Sequence, residues 1–302
     1  MNIPITQSEE WRKLQQDLEE KTLFDCTKSY QYLAILKHTP VGNYLYLPYG
    51  PVAEDVNAMK QAIKAVTAIA RREHVMFIRI EPQLPNWKKY LPENVKKSTD
   101  LNPKETWLLD LSGTDEELKS KLPSRLLRYY KNREKQGITI VTSHNPQDIH
   151  YLLDLQRALA HEKGISTFSE HYLATELKQP FSTLYMLKRN DNILAAGLVF
   201  DHDKTRYNLQ GAQSDEGRRL HATGILTIQL ILDAKAKGNQ TFDFWGIAPE
   251  DAPDNHPWKG FTAFKKTFTG YERDYAGTYD IVLTPSRYRF YQIIRKLRRS
   301  LK

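Results

Sequence analysis

Residues 205–249, TRYNLQGAQSDEGRRLHATGILTIQLILDAKAKGNQTFDFWGIAP, contain the order of elements that decides the fold. Residues 205–212 have the composition of a β-strand, and 222–237 have the apolar spacing of a long amphipathic helix that stops at Gly238. The segment TFDFWGI at 241–247 returns as a second strand. This order of strand, helix and strand is typical of an α/β unit.

The first half of the chain repeats the same order. A strand at 44–51, YLYLPYGP, precedes a helix over 55–73, and a second strand, MFIRIEP, follows at 76–82. Both repeats close on a proline, Pro82 and Pro249, and these prolines lie 167 residues apart. The repetition predicts a duplicated α/β unit, with mixed sheets covered by helices, rather than one large sheet.

Composition and charge narrow the class of protein. No apolar run approaches the ~18 residues of a membrane span, and the N-terminal residues MNIPITQSEEW lack the features of a signal peptide. The single cysteine, Cys26, excludes an internal disulfide framework and a multi-cysteine zinc site. These features predict a cytoplasmic protein. The net charge of +8 favours RNA, an anionic bilayer or a phosphorylated substrate as partner, although a merely basic surface fits equally well.

Two segments contain residues suited to acyl transfer. Arg219, Ala222 and Gly224 loosely fit an R-x-x-A-x-G loop, in which backbone N–H groups at a helix N-terminus hold the pyrophosphate of CoA; an ordinary surface loop is favoured. Residues 258–270, WKGFTAFKKTFTG, interleave four aromatic residues with three lysines, which suits a single-stranded RNA end. A short amphipathic helix with phenylalanines in the core fits this segment equally well.

Two aspartates lie within apolar strands. Asp110 could accept a proton or orient an amine, although a strand-end Asp bonded to backbone is favoured. For Asp243, in FDFWGI, a buried structural role is favoured. The histidines form neither an HExxH motif nor a close pair, so we predict no metal site and no cofactor. The absence of a GxSxG motif gives covalent catalysis no support.

The C-terminal stretch 286–302, SRYRFYQIIRKLRRSLK, has a basic side and an apolar side. Its basic residues are Arg287, Arg289, Arg295, Lys296, Arg298, Arg299 and Lys302. Its apolar residues are Phe290, Ile293, Ile294, Leu297 and Leu301. Such a helix fits an anionic membrane surface, and docking onto the N-terminal domain with a solvated basic face fits equally well.

Taken in order along the chain, these segments resemble the Fem family of non-ribosomal peptidyltransferases (FemABX), which build the cross-bridge of bacterial peptidoglycan. Single segments are only moderately specific, so the resemblance rests on their joint order. The matching segments are ITQSEEW, GNYLYLPYGPV, ETWLLDLSGTDEELKSKL, REKQGITI, ILAAGLVF, RYNLQGAQSDEGRRLHATGILTIQLILDAKAKG, FDFWGI and GFTAFKKTFTGYERDYAGTYDIVL.

The resemblance implies an α/β (α+β) fold made of two tandem GNAT-like domains, with mixed sheets covered by helices. Domain 1 is expected over residues 1–143, completed by 277–302, and domain 2 over 144–276. The chain shows no long heptad hairpin, so we expect the compact form without a coiled-coil arm.

The resemblance further implies transfer of an amino acid from aminoacyl-tRNA to an amine of a peptidoglycan precursor. The catalytic residues would be Lys265, facing the ester carbonyl and terminal phosphates, and Asp110, orienting the amine. The expected donor-binding residues are Phe264, Lys266, Lys259 and Arg219. The expected acceptor-binding residues are Tyr46, Tyr49, Tyr207 and Trp245. A peripheral contact with the inner face of the membrane through the C-terminal basic helix is a further expectation.

Several positions depart from family members that use the soluble UDP-linked precursor. The departures are Gln15, Glu105, Glu162-Lys163-Gly164 and Phe242. They favour lipid II, or an acceptor that is not a cell-wall precursor, over UDP-MurNAc-pentapeptide. Two alternatives stay open: a GNAT-type N-acyltransferase that uses acyl-CoA or another activated donor, and a non-enzymatic module that binds RNA or membrane. The transferred amino acid, the acceptor position and the oligomeric state are not predicted.

Overall fold

The chain divides into two compact units, each built from helices and one sheet. Unit 1 comprises Met1–Lys104 with Asp274–Lys302, and unit 2 comprises Glu105–Arg273. This mixed architecture confirms the predicted fold class. The computed structural model describes residues 1–83, 95–163 and 167–300. Of the residues considered above, Gly164, Leu301, Lys302 and the side chains of Glu162, Lys163, Arg298 and Arg299 lie outside this description.

Unit 1 consists of a mixed sheet with three α-helices in the described residues. Its elements are α1 (Glu9–Asp17), β1 (Thr22–Cys26), β2 (Tyr30–Thr39), β3 (Gly42–Leu47), β4 (Val52–Ala53), α2 (Val56–Arg72), β5 (Phe77–Ile80), β6 (Val95–Lys97), β14 (Tyr279–Val282) and α10 (Pro285–Ser300). The strand order is β1-β2-β3-β5-β14-β6, and β4 pairs with β2. Strands β3 and β5 are parallel, with α2 as the connection between them, as the first sequence repeat predicts.

The spacing of Met59, Ile63, Val66 and Ala70 predicts one apolar face on the crossover helix α2, and the structure buries that face. Asp55 caps the helix by accepting a hydrogen bond from the backbone N–H of Ala58. The buried side chains of this helix include Met59, Ile63, Val66 and Ala70. They pack in one apolar cluster with residues of the sheet, so the helix covers the parallel strands.

The C-terminal segment belongs to unit 1 because β14 pairs antiparallel with β5. A buried ion pair accompanies this pairing: Arg79 of β5 donates to both carboxylate oxygens of Asp280, at 2.7 and 2.8 Å. Tyr288 of α10 donates to the same carboxylate at 3.0 Å. The C-terminal helix is thereby tied to the core of unit 1.

Unit 2 contains a second mixed sheet, in the order β13-β7-β12-β11-β10-β9-β8. Its elements are β7 (Glu105–Asp110), α3 (Asp115–Lys121), α4 (Ser124–Lys131), β8 (Ile138–Ser143), α5 (Ile149–Lys163), α6 (Glu170–Leu177), β9 (Ser182–Arg189), β10 (Asn192–His202), β11 (Thr205–Gln213), α7 (Asp215–Arg219), α8 (Ala222–Ala236), β12 (Thr241–Gly246), α9 (Lys259–Lys265) and β13 (Tyr271–Asp274). Strands β11 and β12 are parallel, with α8 between them along the chain, as the second repeat predicts.

Helix α8 differs from the amphipathic helix that its sequence predicts. Its buried residues lie on nearly every side, because it contacts α4 as well as β9, β10 and β11. At Gly224 an added Cβ would lie 2.6 Å from a methyl group of Leu126 in α4. The glycine therefore permits close packing of two helices. No helix in the described parts of the chain combines the length and the apolar character needed to cross a bilayer.

The division between the units falls earlier in the chain than the expected domain boundary at 143/144. Strand β7 pairs with β12, and β8 pairs with β9. Residues 105–143, which contain β7 and β8, therefore belong to the sheet of unit 2. Local sequence signals do not reveal such pairing between distant strands.

Residues 114–137 contain sequence signals for one helix start and one helix end, and both can be compared with the structure. The three-residue spacing of Thr114 and Glu117 predicts a capping box, and the structure has one at the start of α3. The sequence also predicts a basic helix over 124–136 that ends at Gly137, whereas the structure has α4 followed by a 3-10 turn at Glu134–Gln136. It ends as predicted at Gly137, whose φ of 69° is the left-handed conformation that glycine adopts without strain.

Candidate active site

Helix α9 places Lys265 against the end of strand β12. The Nζ atom of Lys265 donates a hydrogen bond to the carbonyl oxygen of Gly246 at 2.6 Å. The hydroxyl of Thr262, one turn earlier in α9, accepts a hydrogen bond from the backbone N–H of Ala248 at 2.8 Å. Two polar contacts therefore fix the helix over the residues that follow the strand.

The ammonium group of Lys265 lies in an environment that weakens its hold on the proton. Burial lowers the pKa of Lys265 to about 8, and the negative charge of Asp243 partly opposes this shift. The group is therefore mostly protonated at neutral pH, but it loses the proton more readily than a lysine in water. Such a group can stabilise a developing oxyanion or a phosphate.

Asp243 is the buried carboxylate beside this lysine. It is 3% exposed and accepts hydrogen bonds from the hydroxyl of Thr106 and from the backbone N–H of Trp245, the latter at 2.7 Å. Burial raises the pKa of Asp243. The sequence favours a structural role here; the structure adds that the charge acts on Lys265. No local signal reveals this neighbour, because the two residues are far apart in the chain.

A bulge in β12 sets the position of Trp245. The pairing of β12 with β7 shifts register between Asp243 and Gly246. Trp245 has a φ of 65°. A positive φ is uncommon for a large residue, and residues in such backbone conformations are concentrated at functional sites. Its ring lies 6.2 Å from that of Tyr207, with the two planes at 79°. Two of the expected acceptor-binding residues are therefore neighbours next to the Asp243 carboxylate.

Asp110 lies at the other end of the same pair of strands. It pairs with Thr241, whereas Thr106 pairs with Gly246, and four residues of β-strand span ~13 Å. Hydrogen bonds from Ser112 lower the pKa of Asp110 to about 2, with a smaller contribution from Lys121. The structure therefore does not bring Asp110 to Lys265, and a carboxylate of such low pKa is a weak base. Its catalytic role stays a prediction.

The expected donor-binding residues divide between two helices. Phe264 packs half-buried against Phe268, with ring centroids 5.5 Å apart. Lys266 lies over the ring of Trp107, with Nζ 5.4 Å from its centroid. Lys259 forms an ion pair with Asp254.

The fourth of these donor residues, Arg219, stands apart from the other three. It is exposed at the end of α7, which packs on β10 and α8 rather than on α9. The donor-binding role of all four residues stays a prediction.

The two expected acceptor-binding tyrosines of unit 1 have structural partners. The hydroxyl of Tyr46 donates to the buried carboxylate of Glu81 at 3.0 Å. Tyr49 is 4% exposed, and its hydroxyl donates to the carbonyl oxygen of Pro103 at 2.8 Å. Sequence reasoning missed Glu81, which joins several segments of this unit. Within the described residues, no group of three or more His, Cys, Asp or Glu side chains is arranged to hold a metal ion.

Comparisons with known proteins agree with the fold and with the sequence motifs. The model of the FemAB family matches residues 174–296, which include β12, α9 and Lys265. The crystal structure of FemX has the same fold, with a TM-score of 0.80 at 16% identity, covering 95% of this chain and 94% of FemX. A comparison with curated protein sequences gives no match.

Two other solved structures share the fold at lower similarity. L-PGS from Bacillus licheniformis matches with a TM-score of 0.58 at 14% identity over 99% of each chain. A tandem GNAT protein from the clavulanic acid biosynthesis pathway matches with a TM-score of 0.52 at 12% identity, over 86% of this chain and 82% of its own. The GNAT-like character of the fold is thereby confirmed. Together, the match to the FemAB family model over residues 174–296 and the fold shared with FemX confirm the resemblance to the FemABX family that the sequence predicts.

Proposed function

We propose that this chain is an aminoacyltransferase that moves an amino acid from aminoacyl-tRNA to an amine of a peptidoglycan precursor. The match to the FemAB family model and the fold shared with FemX support transfer in peptidoglycan cross-bridge synthesis in general. The observation that carries the specific proposal is the half-buried Lys265, with its lowered pKa, on a helix that also bears exposed aromatic and basic side chains. The proposed setting is the cytoplasm, where charged tRNA is available.

The proposed reaction is attack by the acceptor amine on the carbonyl carbon of the aminoacyl ester. A C–N bond forms and the C–O bond to the ribose breaks, while the proton of the amine passes to the departing ribose hydroxyl. The tetrahedral intermediate carries a negative oxygen, and the ammonium of Lys265 is the group proposed to stabilise it. Asp243 keeps Lys265 more protonated than burial alone would allow.

The preference for a lipid-linked acceptor remains part of the proposal, and the structure weakens two of its supports. Phe242 is fully buried and packs edge-on against Phe244, and Gln15 is 4% exposed. Neither side chain lines an open pocket, so these departures from the UDP-using pattern do not by themselves alter a ligand site. Glu105, a third of these departures, is also buried, with 8% of its surface exposed. We retain lipid II as the favoured acceptor and test it directly against UDP-MurNAc-pentapeptide.

The acyl-CoA alternative gains no support from the loop that motivates it. Gly224 faces Leu126 of α4, so its lack of a side chain is explained by helix packing. The backbone N–H of Thr223 already donates to the side chain of Gln213 at 3.3 Å. Calorimetry with acetyl-CoA separates the two functions, because micromolar binding is expected for an acyl-CoA enzyme and none for a tRNA-dependent enzyme.

The direct test incubates the protein with a mixture of charged tRNAs and either lipid II or the UDP-linked precursor. Mass spectrometry reads the added residue and its site. The Lys265→Ala variant is expected to lose at least ~100-fold of the transfer rate, the scale of removing a preorganised electrostatic group.

Lys235→Ala is the matched control for this substitution. Lys235 is another half-buried lysine of unit 2 that donates to backbone carbonyl oxygens, those of Leu111 and Gly113. We expect its removal to leave the rate within a few-fold of wild type. Full transfer by a correctly folded Lys265→Ala protein would remove the proposed role of Lys265. Absence of transfer by the wild type with every donor and acceptor would contradict the function itself.

A further inference from the structure

The C-terminal helix α10 exposes an apolar strip on the side that does not pack on unit 1. Phe290, Ile293 and Leu297 are 54%, 56% and 58% exposed. Their spacing of three and four residues puts them on one line along the helix. Large apolar side chains this exposed, and contiguous on one element, mark a surface that contacts something else.

The opposite side of α10 is fixed to the core of unit 1. Tyr288 is buried, and its ring packs edge-on against Phe77 at 5.2 Å. Tyr291 packs against the same Phe77 ring at 5.0 Å, and Arg295 donates to Ser98 at 3.4 Å. With this face held, the apolar strip cannot turn inward, so its exposure is a property of the folded unit.

Basic side chains flank the strip on both sides. At 100° per residue, Arg289 and Lys296 lie along one edge of the strip and Arg287 along the other, and all three are exposed. Residues 285–302 contain no Asp or Glu. An apolar line between cationic edges complements a surface that is apolar inside and anionic outside.

We propose that α10 docks unit 1 onto an anionic lipid bilayer, with Phe290, Ile293 and Leu297 in the acyl region and the flanking basic residues at the lipid headgroups. Charge complementarity selects this occupant. A second copy of the chain would place two acid-free basic helices against each other, with repulsion between them. A nucleic acid would meet the positive charge but leave the apolar line in water. The proposal does not depend on the transfer reaction, because binding to lipid requires neither donor nor acceptor.

The test measures co-sedimentation of the full-length protein with lipid vesicles. Wild type is expected to bind vesicles containing phosphatidylglycerol, to bind pure phosphatidylcholine vesicles at least ~10-fold more weakly, and to lose binding as salt rises. The triple variant Phe290→Ser, Ile293→Ser, Leu297→Ser is expected to lose at least ~10-fold of the partition coefficient. Its matched control is Leu101→Ser with Phe168→Ser, two apolar side chains exposed to a similar degree elsewhere.

A second pair of variants isolates the charge contribution. Arg289→Glu with Lys296→Glu is expected to abolish the preference for anionic vesicles. Lys60→Glu with Lys64→Glu changes the net charge equally on the exposed side of α2 and is expected to keep most of the binding. All substituted residues are exposed, so equal thermal midpoints are expected for all variants.

Three results would overturn the proposal. The first is wild-type binding that is absent or equal on neutral and anionic vesicles. The second is a triple serine variant that binds as wild type does. The third is a wild-type dimer in solution that the triple variant converts to monomer, which would assign the strip to a second copy of the chain. The transfer assay is independent of all three, so failure here leaves the proposed function standing.

Discussion

Each unit buries a carboxylate beside its parallel strand pair, but the two carboxylates have different surroundings. Glu81, directly after β5 in unit 1, is 3% exposed and accepts five hydrogen bonds. The donors and their distances are Tyr46 Oη (3.0 Å), Tyr49 N (3.2 Å), Asn102 N (3.3 Å), Asn102 Nδ2 (2.8 Å) and Thr278 Oγ1 (2.8 Å). Asp243, within β12 of unit 2, accepts bonds from Thr106 and Trp245, and its charge acts on Lys265.

The difference shows how one strand–helix–strand unit serves two purposes. Around Glu81, neutral donors from four residues satisfy the carboxylate, and they join segments that are distant in the chain. Asp243 has fewer donors around it, and the ammonium group of Lys265, whose pKa is lowered, lies nearby. The first arrangement stabilises the fold of unit 1. The second maintains a group whose protonation changes close to physiological pH, which is the property expected of a reacting site.

The largest effect expected from this comparison is a loss of stability in the Glu81→Ala variant. The substitution leaves buried donors from Tyr46, Asn102 and Thr278 without their acceptor, at a cost of about 3–5 kcal/mol in the free energy of unfolding. Urea denaturation measures it. Glu9→Ala, which removes an exposed partner of Arg12, is the control and is expected to cost less than ~1 kcal/mol. Equal stability of the two variants would break the contrast between the units.

The second effect is the pH dependence of transfer by the wild type. The proposed role requires protonated Lys265, so the rate is expected to fall above pH about 8, by up to tenfold per pH unit. Deprotonation of the acceptor amine raises the rate on the acidic side and gives a bell-shaped profile. In Lys265→Arg the alkaline fall is expected to disappear, because arginine stays charged. A rate that keeps rising past pH 9 in the wild type would contradict a cationic role for Lys265.

The smallest effect is a shift of that alkaline limb in Asp243→Asn. Asp243 raises the pKa of Lys265 against the effect of burial, so removal of its charge lowers this pKa further. The midpoint of the alkaline limb is expected to move to lower pH by about 0.5–1 unit. Glu81→Gln, in the other unit, serves as the control and is expected to leave the midpoint unchanged. A midpoint that stays in place or moves upward in Asp243→Asn would show that the two groups are not coupled.

The sequence predicts much of the local structure. The capping box at Thr114, the left-handed end at Gly137 and the buried face of α2 follow from residues within a few positions of each other. The two strand–helix–strand repeats are also visible, because apolar periodicity and closing prolines are local signals. The helix α8 is the exception: it is buried on nearly every side because α4 covers the face that a surface helix would leave in water.

For the candidate site, the sequence supplies the residues and the tertiary structure supplies the neighbours. The aromatic-lysine segment and the FDFWGI strand both stand out along the chain, and family resemblance singles out Lys265. The separation of Asp110 from Lys265 follows from strand register, which sequence does not show. The sequence likewise does not show that Asp243 lies near Lys265, because this depends on how α9 packs against the end of β12.

The sequence by itself determined the repeated α/β units, the helix ends and the basic, apolar C-terminal helix, because these depend on periodicity and on residues close together in the chain. Only the tertiary structure decided which carboxylate accompanies Lys265, which donors surround Glu81 and which side of α10 is held against Phe77. Each of these depends on strand pairing or helix docking between residues far apart in the chain. Burial then changes their chemistry, because a charge removed from water responds strongly to whichever groups the fold places beside it.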